Sequence, residues 1–125
     1  MVSNIIIVND FAFINGGAGS VAIRTACELS RRGKRVFFFA GVAPVDACLE
    51  ATGVKVFCLN QYDILNNSNR LEAIIQGLWN QKAYKEFAKL LSSLDLQKTI
   101  IHFHSWTKVL SASLFAVTRK HHAKI

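Results

Sequence analysis

The stretch Ile5-Ile-Ile-Val-Asn-Asp-Phe-Ala-Phe-Ile-Asn-Gly-Gly-Ala-Gly-Ser-Val-Ala22 decides the fold class. Its first part, Ile5–Asn9, is an apolar β-branched run, which is typical of a strand buried on both faces of a parallel sheet. Three glycines follow and open directly into a helix: Gly16, Gly17 and Gly19. Such loops present bare backbone N–H groups and a helix N-terminus to an anion, often a phosphate. The stretch therefore predicts an α/β domain with an anion-binding loop.

The rest of the chain alternates between helix and strand patterns joined by short links. Helices are predicted at about 19–32, 44–51, 70–79, 82–94 and 110–121, and further strands at 35–40, 54–59 and 99–103. Strands that alternate with helices over short right-handed connections form a parallel sheet. The predicted fold is a Rossmann-like three-layer α/β domain over residues 1–125. It has at least four parallel strands in the order 3-2-1-4, helices on both faces, and a fifth strand due at 123–125.

Composition favours a small cytoplasmic domain. The chain has 125 residues, of which 51% are hydrophobic, and this suits one domain. Ile5–Val8 is too short for a signal-peptide core and lacks a basic flank. Cys27, Cys48 and Cys58 have no paired spacing, which indicates free thiols in a reducing cytosol. We therefore expect a cytoplasmic location. The alternative is a peripheral location on the inner face of the membrane.

The chain is basic, with fifteen Lys and Arg against eight Asp and Glu and a formal net charge of +7. Such a charge suits a nucleic acid, an anionic membrane surface or an anionic substrate. The basic residues are spread out and no RNA-binding aromatic signature or zinc-finger spacing accompanies them, so we expect no nucleic-acid partner. Aromatic and basic residues do interleave at Trp79, Lys82, Tyr84, Lys85, Phe87 and Lys89. This pattern fits a peripheral membrane contact, but an amphipathic helix with buried aromatic residues explains it more simply.

Two common phosphate-binding loops fit poorly. A Walker A loop ends in Gly-Lys-Ser/Thr, whereas this loop ends Gly19-Ser20-Val21 without a lysine, so it is excluded. The dinucleotide pattern GxGxxG/A is matched by Gly17–Ala22, yet six residues separate the first strand from the glycines. Strand two also ends Phe37-Phe38-Phe39-Ala40-Gly41, with no carboxylate for a ribose. An NAD(P)-binding domain therefore stays only as an alternative.

Two stretches together resemble the N-terminal domain of GT-B glycosyltransferases, specifically the retaining family-four enzymes of bacterial polysaccharide assembly. Gly16–Ala22, followed by the helix end Ala26–Gly33, is similar to their glycine loop. Ile100-Ile-His-Phe-His104 is similar to their strand-four ending, an apolar pair followed by His, any residue and His. The resemblance covers nearly the whole chain in the order of its strands and helices, but in specific residues it covers only these stretches.

The resemblance implies the acceptor-side half of a two-domain enzyme. That enzyme would transfer a sugar from a nucleotide-diphosphate donor to a sugar or lipid-linked hydroxyl acceptor in cell-surface polysaccharide synthesis. A second Rossmann domain with a Glu-x7-Glu motif would hold most of the donor, so this half alone is expected to be inactive. No cofactor is implied beyond the donor substrate. The alternative from another class is a non-catalytic binding or partner subunit.

The resemblance also implies site residues. Gly16, Gly17 and Gly19 would let the backbone approach the donor diphosphate and the acceptor, unless they serve only a tight turn. His104 would be the catalytic residue near the donor sugar, stabilising charge or orienting a hydroxyl. Its alternative is a histidine satisfied by backbone at a strand end. His102, on the same strand face but deeper, is interpreted as structural.

Topology predicts that the two motifs meet. In the order 3-2-1-4, strand four lies beside strand one and the connections reverse direction between them, so ligands bind at the carboxyl ends of these strands. The glycine loop follows strand one and His104 ends strand four. Asp10 flanks the same loop as a candidate substrate-binding base, although a loop-structuring role is preferred for it. No cysteine or acid lies near the two histidines in sequence to complete a metal site, and none is assigned.

Overall fold

The computed structural model describes residues 1–61 and 68–125, and four strands form one parallel sheet in the order β3-β2-β1-β4. The strands are β1 (Asn4–Phe11), β2 (Arg35–Val42), β3 (Lys55–Cys58) and β4 (Thr99–Phe103). The helices are α1 (Gly17–Arg31), α2 (Ala47–Ala51), α3 (Arg70–Leu78), α4 (Gln81–Ser92) and α5 (Ser113–Lys120). The predicted Rossmann-like three-layer α/β fold and its strand order are confirmed.

The two central strands are buried because helices cover both faces of the sheet. All eight residues of β1 are buried, which accounts for its continuous apolar run. Alternate residues point to opposite faces, so Ile6 and Val8 pack with residues of α4 and α5, while Ile5 and Ile7 pack with residues of α1 and α2. The sheet therefore divides the interior into two apolar cores, and its carboxyl edge stays open between them.

Two helices begin later than predicted because other residues provide their starts. Asp46 caps α2 by accepting a hydrogen bond from the backbone N–H of Cys48 at 2.9 Å, so Pro44 lies outside the helix. α5 begins at Ser113 because Ser111 has a φ of 66°, which no right-handed helix accepts. A short 3₁₀ helix at Leu96–Lys98, which the sequence analysis did not predict, leads into β4.

The aromatic and basic residues within α4 are arranged as the simpler interpretation predicts, but that interpretation is wrong for Trp79, which precedes the helix and is 43% exposed. Phe87 is fully buried and packs against Phe39, with ring centroids 4.9 Å apart. Tyr84 is half-buried, whereas Lys85 and Lys89 are exposed. α4 is therefore an ordinary amphipathic helix with its aromatic stripe against the sheet.

Asn80, between α3 and α4, ties together segments that are distant in sequence. Its amide N–H₂ donates to the carbonyl of Val109 at 2.8 Å and to Oε1 of Gln61 at 2.7 Å. Its backbone N–H donates to Oγ of Ser111 at 2.9 Å, and its side-chain oxygen caps α4 at the N–H of Ala83. Because Asn80 is only 3% exposed, these bonds hold the α3–α4 link firmly beside the carboxyl edge of the sheet.

The outer edge of β4 makes one parallel bridge, at the position where a fifth strand is due. Ile100 pairs with Lys124, and the N–H of Ile101 donates to the carbonyl of Lys124 at 2.9 Å. Residues 123–125 therefore begin to align with the sheet beside β4.

Candidate functional site

A cleft of about 310 Å³ opens at the carboxyl ends of β1 and β4, where the direction of the connections reverses. Its walls come from the end of β1, the glycine loop and the segment after β4, and they include Asn9, Asn15, Gly16, Gly19, Ser105 and Lys108. Hollows of about 600 and 710 Å³ along α4 and α5 are larger but more open, and they lie away from the strand ends. The cleft thus lies between the glycine loop and the segment that directly follows the second sequence motif.

The three glycines of the loop differ in backbone conformation and in the space around them. Gly16 has φ 86° and ψ −175°, a conformation essentially restricted to glycine. A Cβ on Gly19 would lie 3.2 Å from the carbonyl oxygen of Phe13, so its absence lets α1 approach the loop closely. A Cβ on Gly17 would meet nothing within 4 Å. Gly16 and Gly19 shape the loop, while Gly17 leaves open space in front of the helix.

The N-terminus of α1 faces this space without a competing anion. Gly16 supplies no side-chain cap, and the first turn of the helix carries no acidic residue. The first backbone N–H groups of a helix have no partner within the helix and carry its positive dipole end. These groups are therefore directed to a bound anion or to solvent.

Asp10 is fully buried and joins the two walls of the cleft. Its carboxylate accepts four hydrogen bonds: from Oγ of Ser105 at 2.7 Å and from the backbone N–H groups of Lys108 at 3.1 Å, Val109 at 3.0 Å and Leu110 at 3.0 Å. Substrate contact at this carboxylate would require breaking these bonds. The structure therefore gives Asp10 the loop-structuring role that the sequence favoured over substrate binding.

Two buried side-chain atoms of the described residues have no hydrogen-bond partner, and both lie at this strand edge. They are Oδ1 of Asn9 and Nε2 of His104. β1 and β4 pair in parallel up to Val8 and Phe103, and the N–H of His104 donates to the carbonyl of Val8 at 2.9 Å. The next step of this register sets His104 beside Asn9. Buried polar atoms without partners are costly, so Asn9, which lines the cleft, and His104 beside it are candidates for ligand contact.

His104 is a half-buried residue behind the cleft and does not line its open part. Burial lowers its pKa below 6.5, and the neighbouring charge of His102 lowers this pKa further. The imidazole is therefore neutral at pH 7 and suits a hydrogen-bonding role rather than a cationic one. The prediction that His102 lies deeper is wrong: its side chain is exposed, because α1 packs on β1 and β2 rather than on the edge strand β4.

We expect the imidazole signals of His104 in an NMR titration to have a midpoint below 6.5, and His102→Gln to move that midpoint upward. Since the folded pKa is lowered, the folded state resists protonation that the unfolded chain accepts. The contribution of the lowered His104 pKa to the free energy of unfolding is therefore complete above about pH 6.5, and it is lost as the pH falls through the folded pKa. A His104 midpoint at or above 6.5 would contradict this description.

Sequence reasoning missed three contributors to the cleft. Asn9 was assigned only to the strand, and neither Ser105 nor Lys108 was given a role. The Nζ of Lys108 lies 5.9 Å from the ring centre of Phe11, which brings a positive charge to the mouth of the cleft. The available signal was topological, because any polar residue just after β1 or β4 falls at the crevice.

Comparisons with known proteins gave no match to a family model, to a curated protein or to a solved structure. The geometry of the cleft and the two sequence motifs are therefore the basis for assigning a function.

Proposed function

We propose that this chain is the acceptor-side N-terminal domain of a GT-B glycosyltransferase, and that its cleft contacts the diphosphate of a nucleotide-sugar donor. The observation that carries the proposal is the cleft itself, which combines a glycine loop, the N-terminus of α1 and Lys108 at the switch point of the sheet. The full enzyme would move the sugar to a sugar or lipid-linked hydroxyl in cell-surface polysaccharide synthesis.

Electrostatics supports an anionic ligand. The positive end of the 15-residue helix α1 and the ammonium group of Lys108 approach one cleft, and Asp10 is already engaged by protein donors. Uncapped N–H groups and a cation together stabilise a diphosphate better than either does alone. A neutral ligand would gain little from this arrangement.

The unpartnered atoms support a ligand that also carries hydroxyl groups. Oδ1 of Asn9 is a hydrogen-bond acceptor without a partner, while the Nδ2 of the same amide already donates to the carbonyl of Phe11 at 2.8 Å. A hydroxyl donor would satisfy the Asn9 oxygen. Neutral His104, which follows the neighbouring strand β4, would orient a hydroxyl of the ligand. Sugars and riboses supply such groups, whereas an inorganic anion does not.

The NAD(P) alternative is less compatible with the packing above β2. A Cβ on Gly41 would lie 2.3 Å from Cγ1 of Val109, so the segment after β4 already covers the end of β2. Dinucleotide-binding domains use an acidic residue there to hold the adenosine ribose. Here Val109 is fully buried at that position, and no carboxylate ends β2.

The test is titration of the chain with UDP, GDP and NADH, with binding monitored through the backbone amide signals in NMR spectra. We expect Kd values on the order of millimolar for the nucleoside diphosphates, with shifts at the glycine loop and at Lys108. Lys108→Gln should weaken this binding by about tenfold, because a charge-assisted hydrogen bond is lost. Lys55→Gln, an exposed lysine on β3 beside the Phe37 ring, is the matched control and should leave the affinity unchanged.

Other outcomes separate the alternatives. Tight NADH binding would overturn the proposal in favour of a dinucleotide-binding domain. The absence of shifts in the cleft with any nucleotide would favour a non-catalytic partner subunit.

A further inference from the structure

Helix α3 carries three large apolar side chains on its outward face. Leu71, Ile74 and Ile75 are 68%, 58% and 57% exposed, and they follow the i, i+3, i+4 spacing of one helix face. The small residue Ala73 is 5% exposed and faces the protein instead. This is the reverse of an ordinary surface helix, which turns its apolar stripe to the core.

An exposed indole follows this helix directly in the chain. Trp79 follows α3 directly and is 43% exposed. Its ring packs against that of Tyr84 at 5.7 Å between centroids, and its Nε1–H donates to Oε1 of Gln81 at 3.1 Å. The indole is therefore held in place at the surface, with an apolar body and a polar edge, as tryptophans at membrane interfaces are.

We propose that the apolar face formed by Leu71, Ile74, Ile75 and Trp79 docks onto an anionic lipid bilayer. The face lies flat on the surface of the membrane: no helix among residues 1–61 and 68–125 has the length and apolarity to cross one. The proposal is independent of what the cleft binds and goes beyond the proposed transferase function.

The surrounding charge favours an anionic surface. α3 and the start of α4 contribute the basic residues Arg70, Lys82 and Lys85. Of the acidic residues on these two helices, Glu86 is paired with Lys89 at 3.3 Å and Glu72 sits in the first turn of α3. Each basic residue near a negatively charged membrane adds to binding. The sign of the surface thus matches anionic headgroups.

Size and net charge argue against a second copy of the chain as the occupant. A stable protein interface commonly needs about 20–30 residues on each side, far more than this face supplies. Two copies, each with a formal charge of +7, would also repel one another. A bilayer needs no matching surface and accepts a single amphipathic helix.

The C-terminal end of α3 lies near the segment that forms one wall of the cleft. Asn80 follows Trp79 directly and bonds to Val109 and Ser111, which belong to the segment that forms one wall of the cleft. A membrane bound through α3 would therefore lie beside the carboxyl edge of the sheet rather than behind it.

The experiment is co-sedimentation of the full chain with vesicles of phosphatidylcholine, with and without phosphatidylglycerol. We expect binding to the anionic vesicles, weaker binding at high salt, and a blue shift of Trp79 emission in a Trp106→Phe background. The triple variant Leu71→Ser, Ile74→Ser and Ile75→Ser should reduce binding by at least about tenfold, because three exposed apolar side chains leave the membrane.

The matched control is Val21→Ser, which removes an apolar side chain that is 56% exposed on α1, away from the proposed face. It should bind vesicles as the unmodified chain does. Far-UV circular dichroism and urea unfolding should show that the α3 variant stays folded, since the replaced side chains are exposed.

Any of three results would overturn the proposal. The first is equal vesicle binding by the triple variant and the unmodified chain, and the second is no binding to anionic vesicles at all. The third is a change in sedimentation coefficient caused by the triple substitution in the absence of lipid, which would make this face a protein interface.

Discussion

Replacing Asp10 with alanine is expected to lower the free energy of unfolding by about 4 kcal/mol. The substitution removes a fully buried carboxylate and leaves three backbone N–H groups and the Ser105 hydroxyl without their acceptor. Hydrogen bonds to charged groups contribute about 1.5–3 kcal/mol each, and their losses at one site do not add fully. Since a domain of this size is stable by about 5–15 kcal/mol, the variant would be marginal.

The measurement is urea unfolding followed by circular dichroism, with two further variants for comparison. Asp10→Asn keeps one oxygen for the N–H groups of Val109 and Leu110, so about half of the loss should be recovered. Asp46→Ala removes a carboxylate that caps α2 through a single N–H bond, and should cost only about 1 kcal/mol. Equal costs for Asp10→Ala and Asp46→Ala would contradict the central role of Asp10.

Gly41→Ala is expected to destabilise the chain by about 2 kcal/mol, because the added methyl group overlaps a buried side chain. The new Cβ would lie 2.3 Å from Cγ1 of Val109 and 3.3 Å from the carbonyl oxygen of Asp10. Val109 is β-branched and fully buried, so its χ1 angle has little freedom to adjust. The strain falls on the segment after β4, which is also the wall of the cleft.

A double-mutant cycle tests this cause. In a Val109→Ala background the closest contact is gone, and Gly41→Ala should cost less than about 1 kcal/mol. Gly17→Ala is the matched control, since a Cβ there meets no atom within 4 Å, and its cost should be near zero. An unchanged cost of Gly41→Ala in the Val109→Ala background would show that the overlap is not its source.

The fold was predictable because burial patterns repeat over many residues. β1 and β2 are buried on both faces, so their apolar runs stand out, and β4 was located within its true bounds Thr99–Phe103. Boundaries set by single residues were less accessible. The left-handed conformation of Ser111 delays α5, and nothing in its residue type announces a positive φ.

The candidate site was predictable in place but not in detail. Chain order alone brings the glycine loop and the end of β4 to one crevice. Lys108 reaches that crevice through the turn that Asp10 holds, and the bonds that form the turn join residues about 95–100 positions apart. Local patterns carry no information at that separation. For the same reason the exposure of His102 depended on the helix packing and not on its motif.

Asn80 has a consequence for motion. Its one side-chain amide bonds to Gln61 and Val109, which are 19 and 29 residues away in the chain. The end of β3, the link after α3 and the wall of the cleft therefore cannot open separately, because each opening breaks bonds of the same amide. These three segments form one cooperative unit. We therefore expect a ligand that orders the cleft wall to slow amide hydrogen exchange at the end of α3 as well.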